Sequence, residues 1–200
     1  VLSRGEAPRD SDGEGALSTA VRLTKLHAGQ PLTGSEPERR LGEYALIVLT
    51  DYPVRHLTAA HQETIAAGVA SGGRGLLMIG GWASFGAPRG TYSGSRIAEL
   101  LPVEIAAEED DRVNSPLGTV LAARREPHPA IASIQGQTPC VVVGYNGVRR
   151  RAGADVLIQG YRLHVDADLR PSLDLSPTPV LTVWQPGAER VGAPAPDTTP

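Results

Sequence analysis

The sequence is poor in the residues that mark the commonest chemistries. It holds one cysteine, Cys140, which excludes an internal disulfide and a cysteine-rich zinc site. No apolar stretch is long enough to span a bilayer, and the N-terminus lacks the apolar segment of a secretory signal, so no membrane association and a cytoplasmic location are expected. The net charge of -3 is spread along the chain and leaves no electrostatic footprint for nucleic acid. The one basic run, Arg149-Arg150-Arg151, reads as a solvated loop. Aromatic side chains make up only 4% of the residues, so the loop where Trp82, Phe85 and Tyr92 gather stands out.

What is present is organised around Glu43 to Phe85. Tyr44 to Thr50 is a continuous apolar run, too short for a globular helix and rich in branched side chains, as in a strand buried on both faces of a parallel sheet. It stops at Asp51-Tyr52-Pro53, where proline forbids further ladder pairing. Thr58 is the candidate N-cap of a helix with Ile65, Ala66 and Val69 at helical spacing, and Gly72-Gly73 ends it. Leu76 to Ile79 is a second buried strand, closed by a turn at Gly80-Gly81. Strand, helix and strand make a βαβ unit, so Asp51 and the Gly80 to Gly86 loop should meet beyond the carboxyl ends of the strands, where ligands bind in open α/β sheets.

The length fits one domain with a real core. Residues 1 to 16 are polar and read as a mobile segment, 17 to 191 as the α/β domain, and 192 to 200, with three prolines, as a disordered tail. Between these limits the sequence predicts a strand at Ala20 to Leu26, a helical turn at Glu36 to Leu41 and a short helix to Leu101 capped by Ser93 or Ser95. Further strands are predicted at Val103 to Ile105, Thr119 to Ala123, from Cys140, at Ala154 to Gln159 and at Val180 to Trp184. The carboxylates from Glu108 to Asp111 are of the type that binds a hard cation, but adjacent acids lack the alternate spacing of a calcium loop and read as a solvated turn. No metal and no cofactor are expected.

The motifs Tyr44 to Asp51, Gly72 to Gly86, Gly90 to Ser95, Leu100 to Ile105, His128 to Ile131 and Gly144 to Val148 resemble, in order, those of the glutamine amidotransferase-like family. These are relatives of the class I glutamine amidotransferases. The resemblance implies a flavodoxin-like, three-layer α/β sandwich with a mainly parallel central sheet. It covers about residue 40 to 158, and the chain departs from it at both ends: the family's first strand has no counterpart in residues 1 to 16, and its closing strand is in doubt.

A working class I amidotransferase needs a cysteine on a strained turn after a central strand, a histidine as general base and a carboxylate to orient that histidine. Aligning Gly80 with the glycine two places before the family nucleophile puts Trp82 where the cysteine belongs. Indole has no atom suited to acyl transfer, so the resemblance implies a degenerate active site without glutaminase activity. Substitutes are few. Ser84 would need a base from among His61, His128 and His164; Cys140 enters an apolar strand without an elbow glycine and reads as a small buried hydrophobe; His164-Val165-Asp166 repeats a His-x-acid pattern and reads as a surface pair.

Three functions stay open on these residues. One is a non-catalytic module that binds a small molecule or a protein partner through Asp51, Gly80, Gly81, Trp82, Ser84, Phe85 and Tyr92. Another is a hydrolase or isomerase using Asp51, Ser84 and a histidine such as His164. The third is a structural or assembly domain, including a homo-oligomer, with the aromatic loop as its interface.

Overall fold

The computed structural model describes residues 2–4, 21–23, 41–71, 73–86, 91–106, 110–184 and 191–195. Among them twelve strands follow in chain order: β1 (Leu2–Arg4), β2 (Val21–Leu23), β3 (Leu46–Thr50), β4 (Gly75–Ile79), β5 (Val103–Glu104), β6 (Arg112–Ala123), β7 (Val141–Asn146), β8 (Arg149–Arg150), β9 (Asp155–Val165), β10 (Pro171–Leu173), β11 (Thr178–Trp184) and β12 (Val191–Pro194). Two α-helices, α1 (Ala59–Ser71) and α2 (Arg96–Leu100), join two short 3-10 turns.

The central βαβ unit forms as its sequence dictates. β3 and β4 pair in parallel, from Leu46 opposite Gly75 to Thr50 opposite Ile79. Helix α1 starts with a reciprocal cap: Thr58 Oγ1 accepts from the His61 amide, and His61 Nδ1 accepts from the Thr58 amide, each at 3.2 Å. These bonds satisfy two donors that a helix start leaves open. Its buried face, with Ile65, Ala66 and Val69, shares one core with Ile47 and Leu49 of β3 and Leu76 and Met78 of β4. Ser95 caps α2, accepting from the Ala98 amide, and Ile97, Leu100 and Leu101 extend the same core.

The expectation of a mainly parallel, three-layer sandwich is corrected here. The large sheet runs β2-β1-β3-β4-β12-β11-β9-β6-β7 with β10 added on β9, and among the described residues only β3/β4 and β4/β12 pair in parallel. The rest is antiparallel, so the sheet is mixed. The physical reason lies in the long C-terminal strands: in β6 and β9 buried positions are interrupted by exposed ones, the pattern of strands that need cover on one face only. Even β3 and β4 alternate between buried and half-buried or exposed residues, and Leu77 is half-buried rather than core.

Both ends of the chain take part in this sheet. Leu2–Arg4 pairs with β2 and with β3, giving residues 1 to 16 the strand they were expected to lack. Val191–Pro194 is no tail: β12 lies between β4 and β11, with Val191, Ala193 and Ala195 buried. Most of the helical turn expected at Glu36 to Leu41 falls outside the described residues. The basic run is not a solvated loop either. Arg149 and Arg150 form β8 against β5, and Arg151 Nε donates to the Leu101 carbonyl at 3.1 Å, next to the end of α2.

The antiparallel half curls back on the parallel one. Asn146, at the end of β7, donates its backbone amide to the Ala195 carbonyl at 2.8 Å, and the Ala195 amide donates to the Val180 carbonyl at 2.6 Å. Gly80 donates to the Pro194 carbonyl at 2.8 Å. The last strand in sheet order therefore returns to the carboxyl end of β4, where the site is built.

Candidate functional site: an anchored loop and its tryptophan

The loop after β4 is held at three points, Gly81, Ala83 and Gly86, by side chains from three other parts of the chain. Asn146 donates to the Gly81 carbonyl and accepts from the Gly81 amide through Oδ1 at 2.9 Å, so one side-chain amide pairs with a residue as a neighbouring strand would. Asp51, at the end of β3, accepts from the Ala83 amide at 2.7 Å. Asp111 accepts from the Gly86 amide at 2.7 Å and from Asn146 Nδ2 at 2.9 Å. Burial pushes the Asp111 carboxyl above its ordinary range, and the bonds from Asn146 and Gly86 offset part of that.

Close packing fixes the residues that can occupy this loop. A Cβ on Gly81 would lie 2.4 Å from Asp51 Oδ1, so the carboxylate reaches Ala83 only because Gly81 has no side chain. Asp51 and Phe85 are both in the left-handed region, with φ of 46° and 50°, where a residue with a Cβ is strained. Asp51 and Gly80 to Gly86 thus lie together at the strand ends, as the sequence predicts.

The aromatic residues divide. Phe85 and Tyr92 are both 0% exposed, and the Tyr92 hydroxyl donates to the Tyr52 carbonyl, so these two rings are core and line no surface. Burial, with Tyr52 adding to it, raises the Tyr92 phenol. Trp82 is 50% exposed. The Arg112 guanidinium lies over its ring, 4.7 Å from the centroid, and is held by Asp110, to which Nε donates at 2.8 Å. Beside them is an open cleft of about 700 Å3, bounded by Gly81, Trp82, Asp110, Arg112, Asn114 and the length of β7.

The other candidates are turned to structural uses. Ser84 is buried; its hydroxyl donates to the Ile79 carbonyl at 2.6 Å and accepts from the Asp51 amide at 3.2 Å. His61 caps α1, and His128 Nδ1 accepts from the Ala130 amide. His164 does not pair with Asp166: its Nε2 lies 2.6 Å from Asp174 Oδ1, while Asp166 accepts the amides of Asp168 and Arg170 in the turn after β9. Cys140 is exposed, just before β7, rather than a buried hydrophobe. Among the described residues no group of three or more potential ligands could hold a metal ion, and no helix is long and apolar enough to cross a membrane.

The family model described as Putative glutamine amidotransferase (GATase1_like) matches residues 43–171. The chain belongs to this glutamine amidotransferase-like family. Two solved structures share its fold. Cytoplasmic Protein STM3548 from Salmonella typhimurium has 24% identity and a TM-score of 0.67, the match covering 84% of this chain and 67% of that one. Cytoplasmic Protein STM1381 from Salmonella typhimurium LT2 has 25% identity and a TM-score of 0.64, covering 82% and 64%. The chain thus spans about two thirds of their length. No curated protein matches it.

For a member of a glutamine amidotransferase-like family, the residues after β4 are the ones to compare with an acyl-transfer site. Trp82 has no nucleophilic atom, and it is not among the described non-glycine residues with left-handed backbone, which are Asp51, Phe85, Thr91 and Leu169. The strain in this loop sits at its base and at its far end, under the anchors.

The sequence pointed to Asp51 and to the glycine loop but missed Asp111 and Asn146. Asp111 belongs to an acidic run that reads as a solvated turn, yet it is buried. Asn146 is the last residue of β7, and the Gly147 amide after it donates to the Asp111 carbonyl. The usable signal was one asparagine at the end of an apolar strand, where its side chain needs a buried partner.

Proposed function

We propose that this chain is a binding module without glutaminase chemistry, and that the loop from Gly80 to Gly86 presents Trp82 to a ligand at the cleft beside β7. One observation carries the reading: a half-exposed indole, Trp82, which the resemblance implies stands in place of the family's nucleophile, is backed by Arg112 and raised on a loop pinned at Gly81, Ala83 and Gly86. A large aromatic kept in water on a fixed frame is what a recognition surface needs, because apolar area is offered without an ordering cost on binding. The hydrolase alternative has less support, since both contacts of the Ser84 hydroxyl are to backbone and, among the described residues, no histidine hydrogen-bonds to it.

Ammonia release from glutamine tests the first half: purified protein should give none above the buffer rate. Release that disappears in Cys140→Ser would overturn it. For the second half, Trp184→Phe leaves Trp82 as the only tryptophan, and its emission should respond saturably to a ligand.

The assembly reading has an observation of its own. β7 is the last strand in the sheet order, and its Val141 and Val143 are 58% and 63% exposed. Sedimentation at rising concentration tests it, and a mass that stays monomeric would set it aside.

A further inference from the structure

We infer that the Trp82 cleft takes a neutral carbohydrate, with the indole as stacking platform and the Asp110–Arg112 pair as the group that reads hydroxyls. This rests on the cleft being the binding site. The class of ligand follows from what the cleft offers and from what it does not.

Charge is decided first. Arg112 and Asp110 are joined by two side-chain hydrogen bonds, through Nε and Nη2, so the mouth carries one positive and one negative group already neutralising each other. A phosphorylated or carboxylated ligand would have to compete with Asp110 for the guanidinium, since it needs an uncompensated cation. A neutral ligand faces no such competition. An oily ligand is disfavoured by the same pair, whose exposed charges it would have to strip of water.

The hydrogen-bonding pattern then selects. Asp110 Oδ1 accepts from both the Arg112 amide and Nε, but Oδ2 accepts only from Nη2 and keeps a lone pair, and Arg112 Nη1 has no hydrogen-bond partner among the described residues, so the pair offers an acceptor and a donor side by side. Hydroxyl groups, which donate and accept at once, match that array. Asn114 is two residues beyond Arg112 on β6 and lines the same cleft, adding a planar amide with both capacities.

Shape supplies the third constraint. The guanidinium covers one face of the indole, yet half of Trp82 remains exposed, leaving apolar area open to a flat partner. A sugar ring has one: its C–H face packs on an aromatic ring while its hydroxyls turn outward. The cleft is lined by all six residues of β7, on the order of 17 Å of strand at the usual rise, which suits a short oligosaccharide better than a single compact molecule.

The experiment uses the Trp184→Phe protein, whose emission reports Trp82 alone. Cellotetraose, maltotetraose, mannotetraose and galactotetraose are titrated in turn, with AMP as a charged stacking control and anilinonaphthalene sulfonate as an apolar one. At least one oligosaccharide should shift the emission saturably in the millimolar range or below, more strongly than AMP. Calorimetry on otherwise wild-type protein should show that binding weakened by about tenfold or more in Trp82→Ala, and also in Arg112→Ala. Trp82 is exposed, so a thermal melt should show Trp82→Ala folded.

If none of the four sugars moves Trp82, or if Trp82→Ala binds one unchanged, the carbohydrate inference is overturned. Saturable binding of AMP or of the dye alone would overturn it too, while leaving the cleft standing as a binding site. Silence from every probe would count against both.

Discussion

The two halves of the sheet use their apolar residues in opposite ways. Around the β3–α1–β4 unit, Ile47, Leu49, Leu76 and Met78 are sealed under the helix and join one continuous core. In the antiparallel half, Leu117, Val141, Val143, Leu173 and Leu175 are left exposed. The parallel half is the part that holds the fold, and the antiparallel half is the part with surface to spare. The loop bearing Trp82 sits where they meet, bonded to β12 at Gly80, to β7 at Gly81 and to the end of β3 at Ala83.

The sharpest way to break this comparison is to test two aromatic residues of that one loop. Phe85→Ala should cost about 3 to 5 kcal/mol, read from a urea titration, because a fully buried ring leaves a cavity. Trp82→Ala three positions earlier should cost less than about 1 kcal/mol. Equal losses would mean that the loop is core throughout and carries no site. Next in size, Ile47→Ala or Met78→Ala should cost about 2 to 5 kcal/mol, while Val143→Ala on β7 should stay within about 0.5 kcal/mol of the parent. A large loss at Val143 would show that a partner or a second copy covers it.

The anchors between the halves should give intermediate losses. Asn146→Ala removes the partner of Gly81 and leaves an Asp111 oxygen without its donor, which predicts a loss of about 1 to 3 kcal/mol by the same titration. Asp111 also sets a pH dependence. Its folded-state pKa is raised, chiefly by burial, so the folded protein holds this proton more tightly than the unfolded chain does. Its contribution to stability is therefore greatest below the ordinary aspartate range and is lost as pH rises through the folded-state value. In Asp111→Asn that fall should be absent, as the urea midpoint followed across the acid range would show. A midpoint profile identical to the parent's would mean that Asp111 titrates normally.

Legibility followed the range over which each feature is determined. β3, β4, α1 and the cap at Ser95 are set by residues a few positions apart, and the sequence shows them plainly. β12 is not local: Val-Gly-Ala-Pro has no pattern of its own and becomes a strand because β4 and β11 flank it on either side. The antiparallel pairings went unread for a related reason, since apolar runs show that a strand exists and not which way its neighbour runs. Trp82 and Phe85 could be placed in one loop but not sorted into surface and core. That division depends on the backbone of Phe85, which turns left-handed, and no residue type announces it. The Asp111–Asn146 contact spans 35 positions, beyond any spacing argument.

The place of β12 also bears on how the protein is made. β4 leaves the ribosome long before its second neighbour, and until Val191 and Gly192 arrive to pair with Leu76 and Leu77, that side of the strand is an open edge in a nascent chain. Such an edge in an apolar strand is a template for unwanted pairing. Completion of the central sheet must therefore wait until β12 has been made, and synthesis that stalls within β11 would release a product with one edge of an apolar strand unprotected.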